Sequence, residues 1–449
     1  MTRPSDSPAT SSGFLFNVNL VFIATVAASG LGFVAAVLLA RALGPEGRGV
    51  TALYQAAVSL GFAFLSLGIA TAAVYYVGRR EISGRQAMEA GLSVTLIAAA
   101  LTAIGVAIAA VIFGGELSDE DVPYWLTLLA IPALVQFRSA EAVLRAQGRF
   151  GAMNLLEVSL PLSILAFLGA VEVAGGLTIE RAVVAWSLAF LPPVVLGYAL
   201  LGPSQWPRGL AGRDLLWQAA RFGMQGQLSN LIQLLNYRLD SYLVLLLVNA
   251  SGVGLYAVGV SLSEGMWLIA NSVSVVLLTN LTAGDDENAA RMTPIVCRNT
   301  LLVTAAASLA AAAVSPFAIP WIFGDAFDDA VLPFLWLLPG TVALAGTKIL
   351  AAYVFSRGRP LINAQIAFVT LVITVVADLA LIPPFEVAGA AAASSLAYGC
   401  SLALSAVAYR RVSGGSISSV LLPRSSDVPY YVDGLRSLLG RLRRSEAQA

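Results

Sequence analysis

The chain has 449 residues, of which 58% are hydrophobic and 12% charged, with 26 basic side chains balancing 26 acidic ones and no histidine. A water-soluble domain carries about 25% charged and about 45–50% apolar residues, so this chain lacks the polar surface to cover a soluble globule. Without histidine, zinc sites built on imidazole and histidine-dependent catalytic triads are excluded.

The first segment, residues 1–13 (MTRPSDSPATSSG), is polar and has neither the short apolar core nor the cleavage site of a signal peptide. It reads as a cytoplasmic N-terminus. Apolar runs of about 20 residues or more, long enough to cross a bilayer, then recur as far as Tyr409. Six spans are expected near 14–40, 50–77, 87–113, 123–145, 151–173 and 182–201, forming a first bundle over 14–201. Residues 202–223 (GPSQWPRGLAGRDLLWQAARFG) mix Trp, Pro and Arg and read as a cytoplasmic interfacial linker. Six further spans follow near 224–248, 252–281, 295–322, 331–355, 361–383 and 387–409, a second bundle over 224–409. Proline, glycine and charge cluster in the connections, as turn chemistry requires. Residues 410–449 form a basic cytoplasmic tail. There Leu435, Leu438, Leu439 and Leu442 sit at helical spacing beside Arg436, Arg441, Arg443 and Arg444. That pattern suits a short amphipathic helix on anionic lipid, with a disordered basic tail as the alternative. The two cysteines, Cys297 and Cys400, belong to no paired motif and read as small apolar residues.

Orientation follows from the arginines that flank the spans. Every second connection, starting with Arg79, Arg80 and Arg85 and ending with Arg357 and Arg359, is basic. The intervening ones hold only Arg41, Arg48 and Arg181 and are rich in acids, for instance Asp119–Asp121 and Asp325–Asp329. Both termini are therefore expected in the cytoplasm of a multi-pass cell-membrane protein. The halves also repeat: IFG (112–114 and 322–324), LAIP and LLPG (ending at Pro132 and at Gly340), QGRF and RGRP (147–150 and 357–360), EVAGG and EVAGA (172–176 and 386–390) recur in order at offsets of 207–214 residues. Because the repeated unit has an even number of spans, both copies enter the membrane in the same sense, and the pseudo-twofold axis lies along the membrane normal. The expected fold is all-α and polytopic, with about twelve transmembrane helices in two pseudo-symmetric six-helix bundles around a central cavity.

Charges inside the spans carry the functional signal, since each costs about 2.5–3.5 kcal/mol mid-bilayer on insertion scales and so faces a cavity or a partner. In NYRLDSYLVLLL (236–247), Arg238 and Asp240 lie about 200° apart on a helix and do not meet, since i,i+2 residues face apart. Asp240 shares a polar stripe with Ser229, Asn230, Gln233, Asn236 and Tyr237, a candidate cavity wall; interhelical hydrogen bonding is the alternative. Arg138 and Glu141 are spaced to pair along one helix. Glu264 shares a face with Ser261 and Asn271, and Lys348, the one lysine, falls in the cytoplasmic half of its span, where it either binds an anion or snorkels to headgroups. Asp378 reads as interfacial and Glu157 is ambiguous.

Several longer motifs resemble a known family. RALGPEGRG (41–49), FGDAFDDAVLPFLWLLPG (323–340), GRPLINAQ (358–365), NYRLDSYLVLLL and LIPPFEVAGAAAASSLAYG (381–399) are similar to the polysaccharide flippases of the multidrug/oligosaccharidyl-lipid/polysaccharide (MOP) exporter superfamily. The resemblance implies two six-helix lobes, alternating access, and movement of an undecaprenyl-pyrophosphate-linked oligosaccharide to the outer leaflet. It implies no cofactor and no catalytic residue. Its partners would be the glycan lipid, membrane lipids and a polysaccharide polymerase or other assembly protein, not nucleic acid. On that reading Arg138, Arg238 and Lys348 attract the pyrophosphate, Gln233, Asn236 and Tyr237 bind sugar hydroxyls, and Asp240 or Glu264 carries a coupling ion. A multidrug or cation antiporter of the same fold is the alternative. A membrane glycosyltransferase or polysaccharide ligase fits less well, because no outer connection exceeds about 15 residues; separately, no G-x-x-x-x-G-K-[ST] loop occurs, so any energy source is external or an ion gradient.

Overall fold

A computed structural model describes residues 11–112, 127–283, 286–422 and 424. Among these residues the chain is helical, with no strand. The elements are α1 (Ser11–Leu65), α2 (Ile69–Gly78), α3 (Gly84–Ile112), α4 (Thr127–Ala146), α5 (Phe150–Gly175), α6 (Ile179–Leu188), α7 (Leu191–Leu201), α8 (Arg213–Leu247), α9 (Ala250–Ala283), α10 (Asp286–Phe323), α11 (Val331–Ser356), α12 (Pro360–Ser413) and α13 (Ile417–Leu421). Seven helices among the described residues are long and apolar enough to cross a membrane. The reason is chemical: in hydrocarbon every backbone N–H and C=O needs a partner within its own segment, and a helix supplies one.

Two of the longest helices are each a pair of spans joined at a kink. In α1 the kink is Gly44 (φ 66°), followed by Pro45. Glycine adopts that left-handed geometry without strain, and proline starts the next segment because it needs no N–H partner there. In α12 the kink is Glu386 (φ 50°), two residues after Pro384 of the Pro383–Pro384 pair. With these two divisions, and with α6 running on into α7, helical segments occupy all twelve expected span positions. The second expected span, 50–77, is not one helix: it breaks at Ser66–Gly68, where Leu67 and Gly68 both have positive φ. The break frees carbonyls of the preceding turn, and Gln227 of α8 donates to the Ala63 carbonyl at 3.2 Å. Likewise α8 begins at Arg213, so the later part of the expected 202–223 linker is helical.

By their contacts the described residues group into two compact units. The first draws on Met1–Ser261, Pro316–Pro333 and Asp378–Ala390, the second on Leu262–Ser315, Phe334–Ala377 and Ala391–Ala449. In the first unit, one core packs Tyr54, Val58, Ile69, Val94, Val135 and Phe190 together, and a second packs Met88, Phe137, Val143, Leu144 and Leu156. The linker is pinned within this unit: Arg85 donates to the Ser204 carbonyl (3.0 and 2.6 Å), Trp206 Nε1 to the Tyr198 carbonyl (2.8 Å), and the Ala211 N–H to Ser93 Oγ (2.9 Å). In the second unit Ile349, Leu350, Tyr353, Tyr409 and Val420 form the core, so α13 is part of the packing. There Pro339 interrupts α11, and Ser395 of α12 enters the gap: its Oγ accepts from the Gly340 N–H at 3.0 Å and donates to the Trp336 carbonyl. One hydroxyl thus bridges the i→i−4 step that the proline disturbs. The tail segment around Leu435–Leu442 lies outside the described residues.

The repeat read from the sequence reappears as backbone geometry. After α4, Gly148 has φ 69° and the Arg149 N–H bonds the Leu144 carbonyl; after α11, Gly358 has φ 70° and the Arg359 N–H bonds the Val354 carbonyl. QGRF and RGRP are therefore the same glycine-ended turn, and glycine is required because its left-handed φ closes the helix.

In RALGPEGRG, Gly49 does a different job from Gly44. A β-carbon on Gly49 would lie 1.9 Å from the Ala250 carbonyl oxygen, and one on Gly254 would lie 1.8 Å from that of Pro45. Helices α1 and α9 thus meet backbone to backbone. Gly49→Ala and Gly254→Ala are each expected to destabilise by about 1–3 kcal/mol, since neither obstacle is a movable side chain. Thermal unfolding in detergent measures this, with Gly30→Ala, which meets nothing within 4 Å, as an unchanged control.

Candidate functional site: charges held inside the spans

In the first unit, α8 and α9 form an antiparallel hairpin turning near Val248, which places residues equally far from the turn side by side. Asp240 and Tyr256 are such a pair, and the Tyr256 hydroxyl donates to Asp240 Oδ2 at 2.7 Å. Both side chains are buried, Asp240 to 1% exposure. Asp378 on α12 is at 0% exposure, with its carboxyl within hydrogen-bonding reach of that of Asp240. Among the described residues no donor reaches either Asp378 oxygen; it faces the other carboxyl instead. Asp378 is therefore not interfacial, as its place near a span end had suggested, but buried in protein. Two carboxylates this close, out of water, repel strongly unless a proton or a metal cation lies between them.

The expected polar stripe on α8 is not a continuous open wall. Asn236 is buried and donates to the Ile232 carbonyl of its own helix at 3.1 Å, so it is not placed to meet a sugar. Gln233, Tyr237 and Arg238 are half-buried, and Asn230 is exposed. Asp240 and Arg238 separate as helical phase requires, with the aspartate in the interior.

Also in the first unit, Arg138 and Glu141 of α4 meet at 2.6 Å, as their spacing allows. The pair is in truth a triad, because Arg145 holds the other oxygen of the same carboxylate. In the second unit, the Lys348 ammonium donates to Asn271 Oδ1 at 2.6 Å and sits 5.2 Å from the centre of the Trp267 ring. Trp267 in turn packs edge-on against Tyr398. Glu264 acts electrostatically on the same ammonium. Lys348 is thus held inside the unit by an amide, an indole face and an acid, and does not snorkel.

Sequence reading found Asp240, Lys348 and the Arg138–Glu141 pair, but missed Tyr256, Arg145 and Trp267 and misplaced Asp378. Two signals were available. Asp240 and Tyr256 are symmetric about the turn at Val248, and Thr370, Thr374 and Asp378 form a buried polar row at i, i+4, i+8.

Set against solved structures, this fold is shared with transporters of the MOP superfamily. The lipid II flippase MurJ, in an inward closed conformation, aligns over 87% of this chain and 87% of its own, with TM-score 0.71 and 13% identity. An inward-facing multidrug resistance MATE family transporter aligns over 86% of this chain and 95% of its own, with TM-score 0.69 and 15% identity. A MOP transporter from Pyrococcus furiosus, described as having a binding pocket of reversed polarity, gives TM-score 0.63 at 13% identity, over 89% and 95%. No curated protein matches the sequence. Residues 14–278 match the family model for polysaccharide biosynthesis proteins, and the chain belongs to that family.

Replacing Asp378 by asparagine removes one of two facing charges and gives Asp240 an amide donor. Asp378→Asn is expected to raise the thermal midpoint, with a gain of about 1–3 kcal/mol, the scale of a hydrogen bond to a charged group. The same variant is expected to transport less than a tenth as fast as wild type; unchanged transport would remove the pair from the mechanism.

Proposed function

We propose that this transporter is a flippase for an oligosaccharide carried on undecaprenyl pyrophosphate, moving it by alternating access from the cytoplasmic to the outer leaflet during surface polysaccharide assembly. The observation that carries the reading is the set of cationic side chains built into the spans of a polysaccharide-biosynthesis family member. Lys348 is held by Asn271, and the arginine pair on α4 by the buried Glu141. Such groups suit a diphosphate: a guanidinium binds it as a fork and an ammonium as a point charge. Gln233, Tyr237 and Arg238 are half-buried on α8; in this reading they bind sugar hydroxyls and the anionic end. The Asp240–Asp378 pair serves as the coupling site, taking a proton or sodium between its carboxyls. Glu264 acts as counter-ion to Lys348. The arginine bias of alternate connections supports a cell-membrane location with both termini in the cytoplasm. A polymerase or another assembly protein would receive the product.

The carboxyl pair also favours a second reading, a cation-coupled multidrug antiporter, which the MATE neighbours fit. Gene deletion followed by lipid extraction separates the two. Build-up of undecaprenyl-linked oligosaccharide on the cytoplasmic leaflet is expected; an unchanged lipid pool with heightened sensitivity to cationic drugs would favour the antiporter. Lys348→Gln and Arg238→Ala are each expected to reproduce the build-up at normal membrane abundance.

A further inference from the structure

At the membrane face opposite the arginine-rich connections, the first span of α1 and helix α10 end beside a cavity of about 500 Å3. None of the candidate substrate or coupling residues lines it. Its wall carries two charges of opposite sign, Arg41 and Asp325, together with Trp321, Phe323 and Phe327. Arg41 is fixed by α10: its Nε donates to the Ile322 carbonyl at 2.7 Å and its Nη2 to the Trp321 carbonyl. A helix leaves such last-turn carbonyls unpaired, and a cation there also meets the negative end of the helix dipole. Of the five N–H donors of the guanidinium three remain, including both on Nη1. Asp325 opens a 3-10 helix (Asp325–Ala330) anchored from inside by Phe327, whose buried ring packs 6.1 Å from that of Phe323. Its carboxylate is exposed, and among the described residues it makes no hydrogen bond and no ion pair with Arg41. The approaches to the cavity are apolar. Phe317 and Trp321, one turn apart on α10, are each 79% exposed, and on α1 the exposed Val34 lies two turns before Arg41. Exposed apolar side chains on a span are wetted by hydrocarbon, and an indole at its end sits at headgroup level. The rim of the cavity is therefore at headgroup depth on a lipid-facing side.

We propose that this cavity holds the headgroup of one zwitterionic phospholipid with a primary ammonium, its phosphate on the free donors of Arg41, its ammonium on Asp325, and Trp321 beside the glycerol. A phosphodiester accepts from guanidinium N–H groups, and a primary ammonium donates to a carboxylate. The two protein charges are anchored to separate stretches of backbone and do not neutralise each other, so a ligand carrying both signs answers both. An anionic lipid satisfies Arg41 but is repelled by Asp325, and a quaternary ammonium has no N–H to give the carboxylate. The volume suits such a group, since small-ligand pockets run about 300–1,000 Å3. A lipid seated there touches α1 and the end of α10 together, adding to the clasp that Arg41 already makes between them. The site is independent of the cargo and goes beyond the flippase reading.

The test is native mass spectrometry of the purified, delipidated full chain with one lipid added at a time: dioleoylphosphatidylethanolamine, the matching phosphatidylcholine or the matching phosphatidylglycerol. General attraction to the arginine-rich connections favours the anionic glycerol lipid. The site requires the reverse, with the first ethanolamine lipid bound at least tenfold more tightly than the glycerol lipid and the choline lipid between them. Asp325 makes no contact whose loss would unfold the chain, so its variant reads the site directly. Asp325→Asn is expected to cut the preference for ethanolamine over glycerol below threefold. Asp329→Asn, the same charge change on the same turn but off the cavity wall, is expected to keep it. The site is overturned if wild type binds phosphatidylglycerol as tightly as phosphatidylethanolamine, if the preference survives Asp325→Asn, or if both variants lose it alike. Displacement of the ethanolamine lipid by a soluble oligosaccharide such as maltotriose would also overturn it, making the cavity a sugar site.

Discussion

A charge taken from water into the membrane has lost its solvation, and in this protein the intramembrane charges are answered by particular neighbours. Glu141 is gripped by two arginines, and Lys348 by an amide, an indole and an acid. Glu141, the buried partner, has both oxygens engaged, and both arginines keep exposed cationic surface. The carboxyl pair is the exception in sign. Asp240 has the Tyr256 hydroxyl, while among the described residues no donor reaches Asp378, whose carboxyl lies against that of Asp240, so two acid groups face each other out of water.

The backbone obeys the same constraint. Where glycine or proline breaks a helix, the freed groups are met by side chains from a neighbouring helix: Gln227 at the break in the second span, Ser395 at Pro339. At these two points the irregular backbone finds its partners within the protein. Close helix contact depends on the absence of side chains at Gly49 and Gly254, whereas Gly44, before the proline of RALGPEGRG, serves the kink.

Much of this was legible in the residues because membrane helices have a simple grammar. Twelve apolar runs marked the spans, and QGRF and RGRP marked two glycine-ended turns with matching φ angles at Gly148 and Gly358. What escaped were breaks and pairings across distance. The break at Ser66–Gly68 lies in an uninterrupted apolar run without proline, so hydropathy could not register it. Asp378 seemed interfacial because its position was judged along one helix, whereas its burial is set by α8 packed beside it. Arg145, at the end of a span, passed as an orientation marker when its side chain turns back to Glu141.

The most direct test of the account is reconstitution of the purified protein in liposomes with a fluorescent undecaprenyl-pyrophosphate oligosaccharide and a quencher on one side. The account predicts translocation well above protein-free liposomes, accelerated by an imposed proton or sodium gradient. No translocation of that lipid, together with gradient-driven movement of a cationic dye through the same protein, would contradict it.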